Sequence, residues 1–199
     1  MVKRIGMIIG AVLLFVLAAC GSDVEDVTIM TGGEQGTYFP LGAALANNII
    51  NEHVEGVNAE SVTSGASVVN INGLVDGDAQ MALVQNDIAY YASEGSNMFE
   101  EEGALSGFHG IATLYPEVIQ IITSADSGIE TVEDLAGKRV AVGDLGSGAE
   151  ANAKQILDIH GITYDDISED IWTLEQQREI FRMGTLMLPS SQQGCQQVQ

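Results

Sequence analysis

The sequence predicts an α/β fold built on parallel strands. Short strand-like runs recur at 27–31, 58–63, 81–84, 118–123 and 139–142, most of them apolar or β-branched. Most are followed by a loop of Gly, Ser, Thr, Gln or Asn, and then by apolar residues at helical spacing. Strand, small-residue loop and helix, repeated along a chain, are the signature of parallel α/β architecture.

Residues 1–20 stand apart from that pattern. Lys3 and Arg4 form a basic start, Ile5 to Leu17 is apolar apart from Gly6 and Gly10, and the run closes on Leu17-Ala18-Ala19-Cys20. Such a run is short for a membrane span and ends in small residues, as a cleavable export signal does. Leu-Ala-Ala-Cys resembles the bacterial lipobox, whose thiol accepts a diacylglycerol and becomes the new N-terminus. Residues 1–20 are therefore expected to be a lipoprotein signal peptide with lipidation at Cys20. The alternative is an uncleaved anchor helix. Either places the remainder outside the cytoplasm, and the first makes it a periplasmic lipoprotein that meets the membrane through its anchor only.

After a polar tether to Asp26, Val27–Thr31 reads as a strand and Gly32–Thr37 as a flexible loop. Pro40 suits the first turn of a helix whose apolar positions are Leu41, Leu45 and Ile49. A strand over 58–63 and a Ser64–Ser67 turn lead into a helix over 68–75, stopped at Asp76-Gly77. Met81–Val84 is a short strand, and Gln85-Asn86-Asp87 opens another helix. Val118–Thr123 is strand-like, and Thr131–Gly137 reads as one helical turn with a Thr cap and a Gly stop. Arg139–Val142 is a strand, Gly143–Gly148 a loop, and a helix follows through Ile159.

The net charge of −21, from 7 Lys+Arg against 28 Asp+Glu, excludes nucleic acid and anionic membrane surfaces as partners. No Lys or Arg occurs between Ile5 and Gly137. Self-repulsion of this size is best tolerated where salt screens it, which predicts a saline habitat. If Cys20 is acylated, Cys195 has no partner for a disulfide.

In parallel α/β sheets, ligands sit beyond the carboxyl ends of the strands, where helix N-termini offer N–H groups and partial positive charge. A carboxylate can be held there without a basic side chain. Gly143–Gly148 has Gly-x-x-Gly-x-Gly spacing rather than a dinucleotide fingerprint, and no Gly-Lys-Ser/Thr occurs. His53, His109 and His160 lack metal-ligand spacing, and His160 suits a helix C-terminus. Ser147 lacks a nucleophile-elbow context, and Tyr90 and Tyr91 fit packing better than a ligand cage. The expectation is a non-enzyme with no cofactor, no metal and no catalytic residues.

Three segments carry a family resemblance. Thr31-Gly32-Gly33-Glu34-Gln35-Gly36-Thr37-Tyr38-Phe39-Pro40-Leu41-Gly42 resembles the opening motif of TAXI-type solute receptors of TRAP transporters. Ala112–Glu117 and Gly146–Asn152 resemble two further segments of that family. The resemblance implies a periplasmic-binding-protein fold, type II-like and two-lobed, that closes on a small solute and hands it to TRAP membrane permease subunits driven by an ion gradient. It implies a small carboxylate or amino-acid ligand. By motif position, Thr37, Tyr38, Ser64, Gln85 and Asn86 should face the cleft from lobe one, with Tyr115 near the crossover. Ser147, Gly148 and Glu150 should approach from lobe two. For each side chain the competing role is loop capping. The alternatives in function are an ABC-type substrate-binding lipoprotein, a periplasmic α/β enzyme and a purely structural surface lipoprotein.

The expected organisation is a signal peptide over 1–20, the first part of lobe one over 21–113, the crossover and start of lobe two over 114–170, and an aberrant, unstructured tail over 171–199. Residues 171–199 hold 7 Gln and 2 Gly, against 5 Gln and 21 Gly in residues 1–170. Back-translation from the third base of the Asp170 codon can be made to read a helix-like stretch, an Asp-Gly turn and a strand. A frameshift near Asp170 is therefore the expectation, leaving lobe two incomplete.

Overall fold

The computed structural model describes residues 24–170 and 185–189. Two sheets organise the chain, as the α/β expectation requires. The first is formed by β1 (Glu25–Met30), β2 (Val57–Val62) and β3 (Met81–Ala82), all parallel in the order β2-β1-β3. Ile29 on the central strand lies between Ser61 and Met81 and is 1% exposed.

Helix α1 (Tyr38–Ala44) runs on through a π-helical stretch, Leu45–Ile50, and a last turn, Asn51–His53. Pro40 falls in its first turn, where its missing N–H costs no helical bond. The wider π turn rotates the apolar face. Ala46 and Ile50 then meet Ile29, Ala59 and Leu83, and Ile49, expected to face inward, is 51% exposed. Gly42 lets α1 approach β1: a Cβ there would stand 2.3 Å from Thr31 Cγ2.

Helices α2 (Ser67–Asp76) and α3 (Asn86–Glu94) cover the sheet's other face, where Ile71, Ile88, Ala92 and Phe99 form a second cluster. The strand expected over 81–84 ends at Ala82 because the next carbonyl is diverted. Leu83 O accepts from Asn70 Nδ2 at 2.7 Å. Asn70 is fully buried in α2 and also donates to Thr31 O at 2.7 Å, so its amide spans the ends of β1 and β3.

The second sheet holds β4 (Ile119–Ile122), β5 (Arg139–Ala141), β6 (Ser168–Asp170) and β7 (Thr185–Pro189), in the order β4-β7-β5-β6. β7 pairs antiparallel with β4 and parallel with β5. Thus the apolar run Thr-Leu-Met-Leu, within the segment expected to be unstructured, is an interior strand. Residues 1–23, with the expected signal and Cys20, lie outside the described residues, as does Cys195. Helix α4 (Gly148–Ile159) packs Ala153 and Leu157 on Val140, Val142 and Leu135. The turn expected over 131–137 is a 3-10 turn, Glu133–Leu135, and its cap is reversed. Asp134 reaches back to accept from the amides of Glu130 (3.0 Å) and Thr131 (2.9 Å), because a carboxylate outcompetes a hydroxyl as acceptor.

Candidate functional site

The two sheets meet where α2 and α4 begin. The amide of Val68, in the first turn of α2, donates to Gly146 O at 3.0 Å. Gly65 and Gly146 make the approach possible, since a Cβ on Gly65 would lie 3.3 Å from Leu145 O and one on Gly146 3.0 Å from Val69 Cγ2. Ala66 enters α2 at φ 68°, a positive angle for a residue with a Cβ. Such strain persists where surrounding contacts over-determine it.

Ser67, the first residue of α2, is buried, and its hydroxyl oxygen accepts from the Gln85 amide at 3.0 Å. The Gln85 side chain then crosses to α4 and lies on Gly148, where a Cβ would fall 1.3 Å from its Oε1. Any side chain at position 148 would displace the Gln85 amide from the start of α4.

On the other side of Ser67 stands the Tyr38 phenol, followed by Glu117 and Tyr115 from the crossover. Tyr115 donates to Glu117 Oε1 at 3.0 Å. Burial, then the neighbouring Glu117 carboxylate, pushes the Tyr38 hydroxyl well above its ordinary value, opposed only by a bond from Ser67. Burial and Glu117 push Tyr115 the same way. Burial also raises Asp144, which sits in the loop before α4. Gly148, Gln85, Ser67, Tyr38, Glu117 and Tyr115 thus form one continuous polar seam across both units.

The other expected residues have different occupations. Ser147 is the N-cap of α4, accepting from the Glu150 amide at 3.1 Å. Ser64 accepts from the Ala66 amide (3.1 Å) and donates to Asn70 Oδ1 (2.6 Å), holding the loop before α2. Capping is the visible role of both. Glu150 is engaged by the Tyr164 hydroxyl at 2.9 Å, and Asn86 is exposed at the start of α3. Thr37 precedes α1 without a side-chain cap bond. Tyr91 packs beside the second core cluster and donates to Gln155, whereas Tyr90 is exposed. His160 follows α4 as expected, with Nδ1 2.7 Å from Glu133 Oε1.

Two members of the seam escape a reading of the sequence, Ser67 and Glu117. Ser67 looks like an ordinary turn residue before a helix. Glu117 sits in the second resembling segment, but its link to Tyr38 joins stretches far apart in the chain. Among the described residues, no group of three His, Cys, Asp or Glu is placed to hold a metal ion.

A family model described as the NMT1-like family matches residues 29–186. The alkanesulfonate-binding protein SsuA from Xanthomonas axonopodis pv. citri, solved bound to MOPS, is similar over 82% of this chain and 54% of its own, at 18% identity and a TM-score of 0.53. The periplasmic aliphatic sulphonate binding protein SsuA from Escherichia coli is similar over the same shares at 18% identity, with a TM-score of 0.47. The chain spans about half the length of these solved structures. At that identity the first likeness is one of fold.

Proposed function

The chain belongs to the NMT1-like family, and from that premise we propose that it is an extracytoplasmic solute-binding receptor for a small anionic solute. One observation carries the reading: the seam that joins the first turns of α2 and α4 through Gln85, Ser67 and Tyr38. The dipoles of two helices that converge at their N-termini make such a junction favourable for a carboxylate or sulfonate. A chain with no Lys or Arg between Ile5 and Gly137 has few other means of binding an anion there. Thr37, Tyr38, Ser64, Gln85, Asn86 and Tyr115 are proposed to line the solute site from lobe one, and Ser147, Gly148 and Glu150 from lobe two.

The segments at 31–42, 112–117 and 146–152 support the TAXI type, which would deliver its solute to a TRAP permease. Likeness in fold to an alkanesulfonate-binding protein favours a second reading, an ABC-type substrate-binding lipoprotein taking a sulfonate. Titration calorimetry of the full chain with small carboxylates, amino acids and alkanesulfonates tests both. The expected result is one class binding in the micromolar range or tighter, with a loss of at least about tenfold in the Tyr38→Ala/Ser147→Ala double variant. Undiminished binding by that variant would refute the site, and no binding by the wild type at millimolar solute would refute the receptor.

A further inference from the structure

The two edges of the second sheet differ in charge. In the order β4-β7-β5-β6 the outer strands are β4 and β6. β6 reads Ser-Glu-Asp, two acids in three residues, whereas β4 reads Ile-Gln-Ile-Ile and holds none. The first sheet is bounded by β2, which carries the exposed Glu60, and by the two-residue β3. A strand paired on one side only leaves alternate N–H and C=O groups pointing outward as a template for another strand, and charge on the edge is the ordinary protection. Among the described residues, β4 is the one outer strand of four or more residues without a charge, in a chain of 28 acids. Its approach is equally bare. From Gly103 to Ala125, Glu117 is the single acid and no Lys or Arg occurs. Ile111 is 80% exposed, and Leu114, Val118, Ile119 and Gln120 also lie on the surface.

We propose that β4 is an interaction surface for a second copy of this chain, the two β4 edges pairing antiparallel across a two-fold axis so that the second sheets of both copies join. The occupant follows from charge. A basic partner is drawn to the acids elsewhere on the surface, and the β2 or β6 edge of another copy would bring carboxylates against isoleucines. The β4 edge of another copy brings neither. Pairing centred between Gln120 and Ile121 sets Ile119 opposite Ile122 and Gln120 opposite Ile121 in both directions, the self-complementarity that a two-fold demands. The nearest acid on each strand, Glu117, then faces Ser124 of the other copy, so no like charges are opposed. Four residues make a small interface, so the pair forms in proportion to concentration. Copies that each carry −21 repel elsewhere, so salt must strengthen the pair.

Sedimentation velocity of the full chain, from about 1 µM to about 1 mM, reads this directly. The expected result is a monomer–dimer equilibrium whose Kd falls as sodium chloride is raised from about 0.1 M to about 1 M. Ile119→Glu/Gln120→Glu places like charges around the axis and should raise Kd about tenfold or more. A wild type that stays monomeric over this range overturns the proposal, whether its edge is left bare or goes instead to neutral lipid vesicles. A dimer that the double variant leaves intact assigns association to the apolar leader or another face, and also overturns it. So does a dimer that dissociates as salt is raised. Should the double variant fail to fold by circular dichroism, Gln120→Glu alone, at an exposed position, replaces it: Kd must rise, and an unchanged Kd again overturns the proposal.

Discussion

Tyr38 and Tyr115 show how burial and one carboxylate change a titration. Both phenols are held above their ordinary value of about 10, first by burial and then by Glu117. The unfolded chain releases these protons near pH 10 and the folded chain retains them. Stability from this source is therefore fully present below about pH 10 and is lost as pH rises above it. Urea midpoints measured from pH 8 to 11 should fall steeply in the wild type above pH 10, and less steeply in Tyr38→Phe/Tyr115→Phe. Parallel curves would remove the two tyrosines from the alkaline transition.

Among the elements, α2 carries the most distributed load. Asn70 joins it to the ends of β1 and β3, accepting from Ser64 and donating to Thr31 O and Leu83 O. Asn70→Leu leaves two carbonyls and a hydroxyl without that partner, at a cost of about 2–4 kcal/mol by urea unfolding. A change below about 1 kcal/mol would mean that these groups find other partners. The order of strands and helices was legible in the sequence because Val27–Met30, Val140–Val142 and the flanking glycines follow local rules. The phase of α1 was not, since the π stretch at Leu45–Ile50 arises from packing on the sheet, which brings Ala46 inward and turns Ile49 out. The site was legible in part. Tyr38, Gln85 and Gly148 lie in segments that a parallel sheet must gather, but the contact between Tyr38 and Glu117 needs the crossover's path. Ser64 and Ser147 each hold a local capping bond, the competing role that the sequence left open for them.

The molecule as a whole carries a charge of −21. Its acidic groups repel one another through water, and the Debye length shrinks from about 10 Å at 0.1 M salt to about 3 Å at 1 M. Thermal midpoints should therefore rise as sodium chloride is increased over that range, and a falling midpoint would contradict the saline-habitat expectation. The two sheets also differ in how they must come into being. All strands of the first lie within residues 25–82, whereas the second draws β7, from 185–189, between β4 and β5. Joining ends so distant slows folding, because loop-closure entropy is lost before the contacts form. On a ribosome adding about 5–20 residues per second, the first sheet can close while the second still lacks its middle, so β4 and β5 wait apart for a strand that has not yet been made.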